Sequence, residues 1–459
     1  MDHQRAGGDD DLRRRHVAYF EGLLPGYVRR VDWPADRISG ERLRALRRLL
    51  AAAGKSSWHR RRLAGIDAAR LSAADVASLP VMTKADLMDN FDDVITDRRI
   101  TRDLCERHLR DAADGAYLRG EYRVVASAGS SGRRGVFVYG WDAWAICWAS
   151  MMRFPHRDWA IDPALAGVRR VAAVVAAARP AHVSAAFRHT FSTARTPEHL
   201  IPVSQPTGQI VAALNRRQPT ELIGFSSVLP QLAREAQAGR LRIAPRRVMA
   251  ISEPLLPEAR AAIQQAWDVP AGSRYGMSEG LFAGFCGHAS HLPDDLCLFE
   301  PVDAAGRPVP EGVRSQRVYV TNLYNHVLPL IRYEVTDEVT VLAGTCPCGS
   351  AFRRIADPQG RLDDTFTYPG GVSIHPHLFR SALGQHQQII EYQVRQTPRG
   401  AAIRVVTNAP LDTVRVATMI RQALAAAGLA QPQVSLAQAA SIDRQPTGKL
   451  KRFIPLPSQ

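Results

Sequence analysis

The chain has 459 residues, 46% hydrophobic and 22% charged, with a net charge of +15 and six cysteines. Such a length suits about two to four domains at roughly 150 residues each, with a sizeable buried core, and so few cysteines exclude a disulfide-stapled fold. The basic residues are spread along the whole chain, and the densest run, Arg13 to Arg15, is too short for a nucleic-acid-binding arm.

The N-terminus is charged and lacks a secretory pattern, and the longest apolar run, residues 171–178, falls short of the ~20 residues that cross a bilayer. A cytoplasmic protein with neither membrane nor nucleic-acid partners is therefore expected. Residues 1–12 are polar and expected to be disordered. Residues 13–120 pattern as helix, with Leu43, Leu46, Leu49 and Leu50 on one apolar face. Leu79-Pro80-Val81 interrupts this pattern, and Thr83 is placed to cap a new helix.

From about residue 120 to 340 short apolar runs alternate with amphipathic stretches. Strands are predicted over 171–178, 220–225 and 247–251, and helices over 208–217, 228–238 and 257–267. The last helix carries a proline in its first turn. This alternation implies parallel βα units, whose ligands lie at the carboxyl ends of the strands. The tail differs. Residues 389–396 and 402–407 read as two strands joined at Pro398-Arg399-Gly400, followed by a helix over 412–427 and a strand over 433–437. The fold class is thus α/β. A large N-terminal domain, 1–359, has mixed and parallel sheets flanked by helices, and a small α+β domain, 360–459, follows the turn-rich stretch at 357–360.

Five segments carry polar chemistry. In SAGSSGRRG, residues 127–135, small hydroxyl residues and glycines between two apolar runs suit a phosphate cradle, with arginine balancing charge. In RYGMSEG, residues 274–280, Tyr275 can stack on a base and Glu279 can hold Mg²⁺. Asp337, closing PLIRYEVTD, can accept from both hydroxyls of a ribose. GRLDD, residues 360–364, lies at the domain boundary, and RQPTGKLKR, residues 444–452, places a lysine on a turn that can swing toward an attacked phosphate.

In this order and combination the five resemble the adenylate-forming superfamily, and more closely its phenylacetate–CoA ligase branch. LPVMTKADLMDN (79–90), PLIRYEVTD (329–337), CPCG (346–349) with GRLDD, and GVSIHP (371–376) are similar to that branch's segments, so the resemblance spans residues 55–453. It implies an AMP-forming acid–thiol ligase that uses ATP and Mg²⁺ to make an acyl-adenylate, then passes the acyl group to coenzyme A. The alternative is an enzyme that loads a carrier protein or an amine.

The same resemblance assigns roles. Ser127, Gly129, Ser130, Ser131, Gly132 and Arg133 would wrap the phosphates. Ser252, Glu253 and Pro254, matching a Gly-Glu-Pro segment, would lie beside adenine with Tyr275 and Gly276. Ser278 and Glu279 would serve phosphate and Mg²⁺, and Asp337 would hold the ribose with Arg361 nearby. Asp363 would be the hinge of a mobile C-terminal domain, Gly371 part of the thiol tunnel, and Lys449 the residue that assists adenylation. Two departures stand out. Val335-Thr336 replaces the Thr-Gly before Asp337, and Gly370 replaces the arginine before the tunnel glycine.

Cys346 and Cys348 flank one proline, and Cys286 lies close to His288 and His291. Three thiolates and one imidazole suit a closed, structural Zn²⁺ site, with His291 or His288 as fourth ligand. Similar positions occur in the phenylacetate–CoA ligase branch. Cys105, Cys147 and Cys297 read as core residues. The acyl pocket is expected around His182, Phe187 and Ser226, for a small or aryl carboxylic acid, and no basic specificity pocket is legible. A homodimer is left open.

Overall fold

In this computed structural model the described residues are 2–456, other than 112–114, 128–134, 163–164, 166, 177–182, 195, 204, 358–359, 362–363, 371, 375, 384–385, 387 and 445–449; for residues 2–9, 74, 360–361, 373, 377, 380–381 and 390 the description is of the backbone alone. Helix α1 (Asp2–Arg29) opens the chain, so residues 2–12 are helical turns rather than the expected disordered segment. Arg14 and Arg15 pair with Asp11 at 3.6 and 3.1 Å, the spacing that supports an exposed helix. Helix α2 (Ala35–Ala53) buries Leu46, Leu49 and Leu50, while Leu43 packs at the margin of the same cluster. Thr83 caps α3 (Lys84–Asp89) in a reciprocal box. Its hydroxyl accepts from the Asp86 amide, and the Asp86 carboxylate accepts from the Thr83 amide.

Strands β1 (Tyr122–Ala126) and β2 (Val136–Gly140) form an antiparallel hairpin leading into α4 (Trp141–Ile161). Then β and α elements alternate: β3 (Ala172–Ala176), α5 (Val183–Phe191), β4 (Glu198–Pro202), α6 (Thr207–Arg217), β5 (Glu221–Phe225), α7 (Leu229–Gln237), β6 (Arg247–Ile251), α8 (Pro257–Trp267) and β7 (Ala271–Arg274). The five strands make a parallel sheet in the order β4-β3-β5-β6-β7. The central strands are fully buried and Val/Ile/Ala-rich, as a sheet covered on both faces requires. Strand β4, which the sequence pattern does not announce, lies half-buried at the edge and ends in a proline, where a missing N–H is tolerated.

Strands β8 (Cys297–Val302), β9 (Arg317–Asn322) and β10 (Tyr333–Val335) form a second, antiparallel sheet. Two distant segments meet along it. The Met82 amide donates to the Arg332 carbonyl at 3.1 Å, and the Glu334 amide donates to the Met82 carbonyl at 2.8 Å. The Arg332 guanidinium donates at 2.7 Å to the carbonyls of both Ala77 and Leu79. Arg332, not Thr336, takes the left-handed backbone, at φ +44°, so the turn before Asp337 does without the glycine.

The C-terminal part has its own core. Strands β11 (Ile389–Thr397) and β12 (Gly400–Thr407), helix α9 (Thr413–Ala426), and strands β13 (Gln433–Gln438) and β14 (Phe453–Ile454) build a sheet ordered β13-β12-β11-β14. Phe366, Phe379, Val394, Ile403, Ile420 and Phe453 pack together in one cluster. Asp412 caps α9, accepting from the Arg415 amide at 2.9 Å. Among the described residues, no helix is long and apolar enough to cross a membrane.

Candidate active site

Strand alternation places Ile223, Ile251 and Arg274 on one face of the parallel sheet, together with Glu221. That face floors a cavity of about 150 Å³. Trp148 and Met151 of α4 and Phe187 and Arg188 of α5 cover it. Its mouth lies beyond the carboxyl ends of β6 and β7, where Ser252, Gly276, Ser278 and Glu279 line it with Ser127 and Lys84. This is where open parallel sheets take their ligands.

The mouth is held by hydrogen bonds between motifs far apart in sequence. The Tyr275 hydroxyl donates to Asp337 at 3.0 Å, and both residues are buried. The backbone of Asp337 pairs in turn with that of Arg361. Tyr139 donates at 2.5 Å to the Ser278 carbonyl, Asn322 at 3.0 Å to the Glu279 carbonyl, and Tyr324 to the Gly280 carbonyl. Gly280 sits at φ +97°, and a Cβ there would lie 2.2 Å from the Asn322 amide nitrogen, so only glycine lets the loop turn this tightly. Ser127 closes the neck of its loop: its amide donates to the Gly135 carbonyl at 2.9 Å, and its hydroxyl accepts from the Gly135 amide at 2.8 Å.

Glu253 links three segments. One carboxylate oxygen accepts from the Ser227 amide at 2.9 Å and the other from the Leu450 amide at 3.0 Å. Arg444 reaches the same place, donating to the Ser227 hydroxyl at 3.0 Å. Ser252, just before, is at φ +66°, a left-handed conformation that favours glycine, the residue type at this place in the resembled Gly-Glu-Pro segment. Pro254 follows, half-buried.

Of the acyl-pocket residues, Phe187 covers the cavity, stacked at 4.1 Å on Trp144. Ser226 is not among the described lining residues; its hydroxyl donates to the Glu253 carbonyl at 2.9 Å. Gly129, Ser130, Ser131, Gly132, Arg133, His182, Asp363, Gly371 and Lys449 lie outside the described residues, as does the side chain of Arg361. Gly370 stands at φ +83°, where glycine is favoured over the arginine of the resembled branch.

Sequence reasoning missed a polar group at the inner end of the cavity. Arg188, Glu198 and Arg274 all line it, where no basic pocket was legible. Burial pushes the Arg188 guanidinium down to about 10, with the Glu198 charge opposing. A signal existed, because Ser184, Phe187 and Arg188 share one helix face at i, i+3 and i+4.

The cysteine reading closes on His291. The donor atoms of Cys286, His291, Cys346 and Cys348 all lie within 4.8 Å of one another. Cys286 Sγ is 3.6 Å from Cys346 Sγ, and Cys348 Sγ is 3.3 Å from His291 Nε2. His291 Nδ1 donates to the Phe352 carbonyl at 2.9 Å, which leaves Nε2 as the free lone pair facing the thiols. The Cys286 bond, and then burial and the His291 bond, act on the Cys348 thiol, and the net effect is downward. His288 is exposed and outside the cluster. Cys105, Cys147 and Cys297 are buried core thiols, as expected.

No family model matches the chain. It is 27% identical over 177 residues to the phenylacetate–coenzyme A ligase of Pseudomonas putida, a stretch covering 37% of this chain and 37% of that protein. It is 28% identical over 132 residues to the Aromatoleum evansii phenylacetate–coenzyme A ligase, covering 27% of this chain and 29% of that one. Among solved structures, 2-hydroxyisobutyryl-CoA ligase in its postadenylation state superposes with a TM-score of 0.68 at 20% identity, over 93% of this chain and 91% of the other. An open conformation of that ligase gives 0.55 at 21% identity, over 93% of each chain. The chain thus has the fold of the adenylate-forming acyl-CoA ligases and, over about a third of its length, sequence similarity to their phenylacetate–coenzyme A ligases.

Proposed function

We propose that the protein activates a small or aryl carboxylic acid with ATP, releasing pyrophosphate, and then passes the acyl group of the acyl-adenylate to the thiol of coenzyme A, releasing AMP. The observation that carries this reading is the Leu450–Glu253 hydrogen bond. It holds Leu450, the residue after Lys449 in sequence, against the segment assigned to adenine, whose Ser252 lines the cavity with Ser278 and Glu279. The curated relatives are phenylacetate–coenzyme A ligases, and a structural neighbour holds an acyl-adenylate, both in keeping with this chemistry.

In this mechanism Asp337, oriented by Tyr275, accepts from the ribose, and the loop of residues 127–135 takes the phosphates. The acid sits between α5 and the sheet with its carboxylate toward Ser278. Lys449 neutralises the charge that grows on the attacked phosphate; positioning and charge, not covalent help, supply the rate. Mg²⁺, held at Glu279, would add charge neutralisation on the phosphates. For the second half, the C-terminal domain, residues 360–459, swings about Asp363 relative to residues 1–359, and the segment around Gly371 lines the thiol's approach. We further propose a structural Zn²⁺ on Cys286, His291, Cys346 and Cys348, since three thiols and an oriented imidazole leave no position for substrate.

The test is a panel of carboxylic acids in a pyrophosphate-release assay, run with and without coenzyme A. Acid-dependent release whose product becomes a thioester only with coenzyme A supports the reading. Acid-dependent release with no thioester would move the acceptor to a carrier protein or an amine. No acid-dependent release at all would end the proposal.

A further inference from the structure

The cavity has two polar ends. The outer end carries Ser252, Ser278 and Glu279, past the carboxyl ends of β6 and β7. The inner end carries Glu198, the first residue of β4, and Arg188 on α5. Between them the walls are apolar: Trp148, Met151, Phe187, Ile223 and Phe282.

The charges at the inner end do not balance. Arg170 pairs with Glu221 at 2.6 Å and with Glu198 at 3.2 Å, and Arg274 approaches Glu221 at 4.0 Å. Arg247, next along, is taken by Asp158. Among the described residues that leaves three guanidiniums, Arg170, Arg188 and Arg274, against two carboxylates. His156, beside them, is held toward its neutral form by burial. Residues 177–182, which join β3 to α5 and lie outside the described residues, read AARPAH and bring no carboxylate. Arg188 is 6% exposed, and its Nη2 has no hydrogen-bond partner among the described residues. Leaving a guanidinium nitrogen buried and unpaired is costly, because it gives up its hydrogen bonds to water without replacing them. Arg188 lines the cavity, and the planar fork of N–H donors that a guanidinium carries is matched by a planar carboxylate.

We propose that Arg188 receives a second carboxylate of the acid substrate, so that the protein activates a small dicarboxylic acid with an apolar middle, one carboxylate at the outer end for adenylation and the other at Arg188. This inference rests on the proposed function for the reaction itself. It narrows the acid to those that fill both polar ends, because a monoacid of equal length leaves the excess positive charge of the inner end unmatched.

The experiment pairs each monocarboxylic acid with the dicarboxylic acid of matched length, aliphatic and aryl, in acid-dependent ATP–pyrophosphate exchange. The same acids are titrated calorimetrically against the full chain. The wild type is expected to favour the best diacid over its monoacid partner by about 100-fold or more in kcat/KM. Arg188→Met is expected to collapse that ratio to within a few-fold, and Arg188→Lys, the safeguard should the methionine variant not fold, to retain an intermediate ratio. Equal or better use of monoacids by the wild type, or a ratio untouched in both variants, would overturn the assignment while leaving adenylation intact. If no acid supports exchange, adenylation fails, and calorimetry decides Arg188 alone: a diacid bound by the wild type and lost in the variants supports it, and no diacid binding overturns it.

Discussion

The Leu450 amide and the Glu253 carboxylate meet at 3.0 Å, joining a residue 197 positions further along the chain to the loop after β6. The bond matters because Leu450, which follows Lys449 in sequence, is held at the segment assigned to adenine. Removing Lys449 should remove charge stabilisation in the transition state and spare nucleotide binding. Lys449→Ala is expected to lower carboxylate-dependent ATP–pyrophosphate exchange by about 100-fold or more, the scale of losing one preorganised donor. ATP affinity, followed by calorimetry, should change little. Undiminished exchange would refute the role.

Tyr275 and Asp337 act as one unit. The phenol fixes the carboxylate with a 3.0 Å hydrogen bond, and a carboxylate can accept from several donors, as a diol requires. Asp337→Ala is therefore expected to weaken ATP binding by about 10-fold or more, since hydrogen bonds to a charged acceptor are worth about 1.5–3 kcal/mol. Tyr275→Phe should weaken it less, because the carboxylate survives but loses its orientation. Equal ATP affinity in Asp337→Ala and the wild type would take Asp337 out of the ribose site.

The Cys286–His291–Cys346–Cys348 cluster makes a stoichiometric prediction. Elemental analysis of protein purified without chelator should find about one zinc per chain. Cys346→Ser should lose most of it and lower the thermal midpoint, because the cluster ties the loop of residues 346–352 to β-bridged Ser290 and His291. A folded, metal-free preparation with the wild-type midpoint would rule the site out.

Much of this was legible in sequence because the local rules agreed with the fold. The strands at 247–251 and the helix at 257–267 emerge as predicted, since an apolar run of that length and a proline-led amphipathic turn have few other uses. Thr83 caps as its spacing to Asp86 implies. What stayed hidden depends on tertiary contact. Strand β4 is a polar edge strand with no apolar run to mark it. Arg188 looked like one more basic residue until α5 turned it into the cavity. His291 could be told from His288 only once β-pairing buried the one and left the other exposed.

Two buried histidines give acid lability. His16 donates from Nε2 to the Trp141 carbonyl at 2.8 Å, sits 3.0 Å from the Tyr117 hydroxyl, and stacks on Trp141 at 4.6 Å. His59 donates to the Pro329 carbonyl at 3.0 Å. Burial pushes both down to about 4 from 6.5. The unfolded chain therefore binds more protons than the folded one between those values. Stability is full above pH 6.5, falls as pH drops below it, and is lost by about pH 4, by about 3 kcal/mol for each histidine. Urea midpoints measured across that window should fall with pH, and His16→Gln should flatten part of the slope. A slope unchanged by removing either histidine would contradict this.

Ser252 offers the converse, a stabilising change at the site. A side chain at φ +66° brings Cβ against the neighbouring carbonyl, a strain of about 1–2 kcal/mol that glycine does not carry. Glycine also leaves the unfolded chain more conformational freedom, which offsets part of the gain. Ser252 is exposed, and no hydrogen bond of its side chain is recorded among the described residues, so little packing is lost. Ser252→Gly is expected to leave stability unchanged or raise it by about 1 kcal/mol, read as the urea midpoint at neutral pH. ATP affinity should be retained if the serine serves the loop's shape alone, because the Glu253 bonds to Ser227 and Leu450 do not involve its side chain. A destabilised variant would mean that the Ser252 hydroxyl, rather than its backbone, holds this turn in place.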